Sequence, residues 1–411
     1  MAAMALTGTG SGIGTDAAPI YASRVLRLAL VDRDGITIGR IGDMVLSPPT
    51  HASPPRVLGF VAAVQRRDIF INANRVSEIA TSGVHLRSGT VDLHRFKLRP
   101  GELSTRRLLS SQHGGESVQD IALVRIADPD NWVVNAVLLS SAGILRRRAA
   151  RTVPWNQMPA MFDAGPMGRQ VAELRDLAAA DLARRVSDMP VERRHQVARA
   201  LEDERLADLL EELPEDEQVR LIEGLDVERA ADVLEEMEPD DAADLLGELP
   251  ADERNELLDA MEPDEAGDLR RLLAYDRHTA GGLMTSEPLI VTAETTVAEV
   301  LARMREPDMP AGLGAQVFVV EPPTATPTGR YIGAVGFQRL LREPPSSAVG
   351  SCLDPVNEFV HPNLRELEVA RRLAAYDAIA VPVVDDEGRL LGCVTVDDVL
   401  DRVLPANWRT R

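Results

Sequence analysis

The stretch TVDDVLDRVLP crowds Asp397, Asp398 and Asp401 onto one short helical segment, with Arg402 as the only cation close to them in sequence. Carboxylates this dense repel one another, so their charge has to be offset by a divalent cation, by a basic surface or by diffuse counterions. A second acidic population lies mid-chain. Between positions 201 and 268 there are 28 acidic and 4 basic side chains, a net of −24, against −20 for the whole chain of 411 residues. The excess acid therefore belongs to one module. Within it Asp208, Asp232, Asp244 and Asp268 occupy the same place in a twelve-residue repeat, which predicts a row of carboxylates on one face of stacked helices. Such a row is either screened by solvent, or attracts divalent cations, which take oxygen ligands, or a basic partner.

Other chemistry is not prefigured. No Ser/His/Asp, Cys/His or metal-hydrolase constellation stands in the sequence, and His278 before TAGG reads as a lone loop histidine, so no enzyme activity is expected. TGTGSGIG (Thr7 to Gly14) has the glycine spacing of a nucleotide-binding turn but lacks the preceding strand, and Pro19 stands where the helix should run. Residues 1–20 are read as a flexible tail. The strongly negative charge argues against nucleic acid or an anionic membrane as the main partner. Cys352 and Cys393 have no metal spacing, no signal peptide opens the chain, and the cytoplasm is the expected location. The longest apolar run, Trp132 to Leu145, falls short of the about 20 residues a membrane helix needs.

The elements that position the acids follow from pattern. The 45% hydrophobic content supports several cores in a multidomain α+β chain. From 21 to 165 the reading is β: RVLRLALVDRDGITIGRIGDMVL gives two strands about a polar turn, VLGFVAAVQRRDIFINANRVSEI repeats the idea, and LLSSQHGGESVQDIALVRI with WVVNAVLLSS forms a looser copy. Two small barrels or one split barrel would account for this. Arg146 to Arg148 with Arg151 read as a solvated face or a contact for the acidic segment.

From 170 to 275 helices are expected to start at 182, 194, 206, 218, 230, 242, 254 and 266; the eighth residue of each is Met189, Leu201, Leu213, Leu225, Met237, Leu249, Met261 or Leu273. Two-turn helices are unstable alone and must stack, in hairpins of 24 residues, as an α-solenoid. Glu192, Glu204, Asp216, Glu228, Asp240, Asp252 and Asp264 stand two residues before those starts, where a carboxylate caps free N–H groups and favours the helix dipole. After a linker at 276–282, residues 283–404 read as two β-α-β-β-α units, the second with its hairpin at DDEG.

Three resemblances add to this. The hairpin around Gly35, with Gly39, Gly42 and Asp43, resembles the PRC-barrel family, which implies docking to protein or RNA and carries no catalytic residues. LLAYDRHTAGGLMTSEP and PVVDDEGRLLGCVTVDDVLD resemble the cytosolic part of the MgtE magnesium transporters over 170–404, an acidic helical N domain joined to two CBS units. In that family the two modules close when magnesium neutralises facing carboxylates. The resemblance implies a metal-binding set of Asp208, Asp240, Asp244, Asp377, Asp398 and Asp401. It departs at Arg365 and Leu367, which stand where the family places acids, and at PANWRTR, which replaces an acidic connecting helix. It therefore implies a magnesium-responsive regulator acting on a separate membrane channel or other protein partner, with a homodimer formed through the CBS pair. The CBS pattern also implies an adenine-nucleotide site for ATP or AMP at Gly392, Thr395 and Asp398; the first unit breaks it with Gly336 and Arg339. A scaffold without ligand is the third reading.

Overall fold

The computed structural model describes residues 18–50, 53–64, 67–87, 96–127, 130–141, 150–305, 309–310, 312–355 and 358–404; the TGTGSGIG stretch, Arg146 to Arg148 and PANWRTR lie outside them. The chain divides into two compact units, Met1–Leu177 with Gln196–Leu201, and Ala178–His195 with Glu202–Arg411.

In the first unit Ala29–Val31 and Thr37–Leu46 pair antiparallel about a turn fixed by Asp32, whose Oδ1 accepts from the N–H groups of Asp34 and Ile36 at 3.0 and 2.8 Å. Val57–Val64 and Arg67–Asn72 extend this sheet on one side, and Val84–Leu86 and Val76–Ile79 on the other. The looser copy is a long hairpin of Glu116–Ala127 and Asp130–Ser141, extended by Ala150–Pro154. One core serves both sheets, from Leu30, Met44, Phe60 and Ile69 to Ile121, Leu123, Leu139 and Phe162. The expected barrels are not closed. Val76–Ile79 pairs with Val84–Leu86 across the tight Ala80–Gly83 turn, so it does not meet Arg67–Asn72, and among the described residues both sheets stay open. Arg151 reaches across the second sheet to Glu116, 2.5 Å from its carboxylate.

In the second unit the acidic segment forms the helices α1 (Ala179–Ser187), α2 (Asp203–Glu211), α3 (Glu215–Ile222), α4 (Val227–Glu235), α5 (Pro239–Glu248), α6 (Ala251–Ala260) and α7 (Pro263–Leu272). Val191–Ala198 is also helical and spans the division between the units. α2, α4 and α6 stack in one row and α3, α5 and α7 in another, so each helix packs chiefly on the one 24 residues later. The predicted single row of aspartates thereby becomes two, Asp208 with Asp232 and Asp244 with Asp268, because consecutive helices belong to different rows.

Each helix α1 to α7 begins three residues before its expected start. For α3, α5, α6 and α7 the cause is local: proline fixes φ at the first helical position of α5 and α7, and Pro214 and Pro250 stand just before α3 and α6. The acids expected as caps therefore lie inside the first turn, where they still favour the dipole, while Asp226 is the carboxylate that caps α4, accepting from the N–H of Arg229. Leu213, Met237, Leu249 and Met261 fall in the turns after their helices and are buried there.

Residues 283–404 pair two matched units. In the first, Ile290–Thr292 runs parallel to Gln316–Val320, which is antiparallel to Tyr331–Gly336, with α8 (Val297–Arg303) intervening. In the second, Val360 bridges in parallel to Val383, α9 (Glu366–Ala375) follows, Ala380–Val384 pairs with Leu390–Thr395, and α10 (Val396–Val403) ends the unit. Phe318, Val320 and Tyr331 of the first share a core with Ala380, Val384 and Leu390 of the second. The connector before them is held down: Ala280 and Gly281 donate their N–H groups to Leu364 and Pro362, and Glu366 donates to the carbonyl of His278. Gly281 is needed there, since a Cβ would lie 2.5 Å from the Tyr275 ring.

Candidate functional site

The stretch EPDDAAD opens α5 and sets four acids against α10. Glu238 is the residue before the helix; its N–H donates to Glu211 Oε1 of α2 at 2.8 Å, and Glu262 makes the same tie to Glu235 at 2.6 Å. That tie fixes the start of α5 and crowds two carboxylates. Burial pushes the Glu238 carboxyl up to about 7, helped by Glu211, Asp398 and Asp397, and burial also raises Glu211.

Asp240 sits in the first turn of α5, 7% exposed, and its Oδ1 has no hydrogen-bond partner. Burial drives its carboxyl well above the usual range, with Asp398, Asp241 and Glu238 adding repulsion. Asp241 moves the same way, from burial first and then Glu211, Glu238 and Asp398. From the facing side, Asp398 of α10 is raised to about 6 by burial, against the opposing effect of hydrogen bonds from Thr395. Even Cys393 is pushed up, by burial and then by Asp398 and Asp240. The arrangement is a desolvated gathering of like charges, which favours protonation or the arrival of positive charge.

One helical turn further the situation reverses. Arg402 of α10 makes an ion pair with Asp244, and Arg277 of the connector lies 3.9 Å from the same carboxylate and 2.7 Å from Glu215. Burial still raises the Asp244 carboxyl, with Arg402 and Arg277 pulling it back down. Arg402 was legible only as the neighbour of Asp397, Asp398 and Asp401; instead it reaches an acid 158 positions away.

The other expected metal residues are placed differently. Asp208 pairs with Arg205 at 2.5 Å, Asp401 lies exposed on α10 and adds to the field on Asp398, and Asp377 is exposed after α9 with φ 49°. The proposed nucleotide residues have local partners. Thr395 donates from its N–H and hydroxyl to Asp398 Oδ2 at 2.9 and 2.7 Å, closing a capping box on α10. Gly392 accommodates a neighbouring segment, since a Cβ there would lie 2.2 Å from the Thr285 carbonyl. In the first unit Gly336 donates its N–H to Asp354 at 2.8 Å, a carboxylate 18 positions away that the sequence pattern did not single out. Among the described residues no three His, Cys, Asp or Glu side chains form a ready-made direct metal shell, and no helix is long and apolar enough to cross a membrane.

Comparison with known proteins bears on this geometry. Residues 177–278 match the model of the MgtE intracellular N domain, and residues 280–346 and 353–405 match the CBS domain. The chain is 39% identical over 130 residues to the magnesium transporter MgtE of Thermus thermophilus, covering 32% of this chain and 28% of that protein. It is 30% identical over 132 residues to MgtE of Enterococcus faecalis, with the same coverage of 32% and 28%. It thus spans 28% of the length of these curated relatives. Among solved structures, the soluble part of a magnesium transporter matches with a TM-score of 0.52 and 28% identity, over 57% of this chain and 92% of that one. The cytosolic domain of the Mg2+ channel MgtE in complex with ATP matches with a TM-score of 0.52 and 33% identity, over 60% of this chain and 98% of that one. An intracellular N domain joined to a CBS pair, matching nearly all of that cytosolic domain, identifies this chain as a member of the MgtE family through its cytosolic regulatory region.

Proposed function

We propose that this chain is a magnesium-responsive regulatory protein in which the acidic helical domain closes onto the CBS pair as positive charge offsets the carboxylates between them. The observation that carries this reading is Asp240, buried with an unpartnered oxygen and facing Asp398 amid Glu238 and Asp241. Isolated buried carboxylates are costly, so a closed interface of this composition needs a counter-charge or protons. The residues fit a hydrated ion: Asp240 and Asp398 would hold it, with Asp241 and Glu238 nearby, and the scattered acids suit magnesium, which keeps much of its water. The ion supplies positive charge; the chain's own residues set where that charge is wanted. By this reading the protein acts on a separate channel or other partner, without catalysis.

Magnesium titration followed by small-angle scattering and limited proteolysis tests the proposal. Compaction with protection of residues 276–282 supports it, and constancy of both at fixed ionic strength rejects it. A second reading, adenine-nucleotide sensing, is favoured by the likeness to an ATP-bound cytosolic domain. ATP protecting the CBS pair in the absence of magnesium would favour that reading.

A further inference from the structure

Two guanidinium groups divide the acidic interface into unequal halves. Arg277, from the connector, contacts Glu248 and lies 2.7 Å from Glu215 and 3.9 Å from Asp244. Arg402, from the last turn of α10, contacts Asp244 and lies 3.9 Å from Glu215. The Arg402 and Asp244 side chains are 17% and 26% exposed, so the pair is largely withdrawn from solvent. Glu215 comes from α3, Asp244 and Glu248 from α5. Two cations thus bridge three carboxylates on two helices. Among the described residues the charged groups acting on Asp240 and Asp241 are carboxylates, with no arginine in the place that Arg402 takes at Asp244.

We infer that Arg277 and Arg402 form a built-in cationic latch, which holds the Asp244 half of the interface closed without a metal ion and confines the ion-responsive part to Asp240 and Asp398. This deepens the reading above and depends on it for the role of the ion, but the latch itself does not. An ion coordinated by Asp244 would compete with Arg402 and Arg277 for its carboxylate, and removing the ion would leave the Arg402 contact in place. The chain should therefore remain partly closed in chelator, in a manner weakened by monovalent salt, because an ion pair with residual exposure is screened.

The test compares the full chain with Arg402→Gln, with Arg277→Gln and with the double variant, first in EDTA and then across a magnesium titration. The readouts are radius of gyration and the rate of proteolysis at residues 276–282, with circular dichroism to establish folding. The latch predicts that the double variant is cleaved at least about threefold faster than wild type in EDTA and that Arg402→Gln needs about threefold to tenfold more magnesium to reach half closure. Equal cleavage in EDTA with an unchanged magnesium midpoint would overturn it. Should wild type ignore magnesium while the double variant still opens in EDTA, the latch stands and the ion-driven reading falls. A charge swap, Arg402→Asp with Asp244→Arg, covers the case of poor folding in the Gln variants: restored protection supports the latch, and protection no better than in Arg402→Asp alone rejects it.

Discussion

Thr395 spends both its backbone N–H and its hydroxyl on one oxygen of Asp398, at 2.9 and 2.7 Å, and so ties the first turn of α10 to the acid that faces Asp240. Thr395→Ala should therefore lower the stability of the CBS pair by about 1 kcal/mol whether or not nucleotide is added, while Thr395→Ser stays close to wild type. Urea unfolding followed by circular dichroism checks this. Unchanged stability together with weakened ATP binding would instead assign the hydroxyl to a nucleotide.

Protons should substitute for metal. Asp398 is raised from 3.8 to about 6 and Glu238 from 4.5 to about 7, each chiefly by burial in the closed interface. Raised carboxyls favour the closed form at low pH, fully below their ordinary range, and that contribution is lost as pH rises through about 6 to 7. In EDTA, protease protection should rise as pH falls from about 8 to about 5.5, and magnesium should matter less at the lower pH. Asp398→Asn should flatten the dependence. A flat wild-type profile would contradict the assignment.

How much of this was readable beforehand differs from feature to feature. The helices of the solenoid were legible because Leu and Met recur at fixed spacing, and burial follows side-chain type. Their starts were displaced because Leu213, Leu249 and Met261 are buried from turns, so apolar periodicity alone ran past the helix ends. The crowding of Asp240 and Asp398 was anticipated only through family resemblance. Glu238 and Glu211 were missed because their link joins α5 to α2 across 27 positions and has no local signature. Arg402 carried a usable signal, being a lone cation beside three aspartates, but local sequence pointed it at the wrong acids. The N-terminal strands were legible from alternation; whether their sheets close was not, since that depends on which edges meet.

Assembly through the CBS pair gives a separate test. Leu367 on α9 and Leu400 and Val403 on α10 are 54%, 50% and 57% exposed, which leaves apolar surface on two adjacent helices. A second copy of the chain is the expected cover, so light scattering should give a dimer at tens of micromolar, and Leu367→Glu with Leu400→Glu should give a monomer of unchanged helicity. A wild-type monomer would reject this assignment of the face.

The central claim rests on the uncompensated charge at Asp240, and a magnesium titration of wild type beside Asp240→Asn, followed by the radius of gyration at constant ionic strength, tests it most directly. Asn keeps the size of Asp while removing the charge. Wild type should compact at magnesium concentrations on the order of millimolar. Asp240→Asn should start more compact and respond less, because the repulsion from Asp398 has been relieved at its source. An identical magnesium response in the two proteins, or none in wild type, would contradict the account.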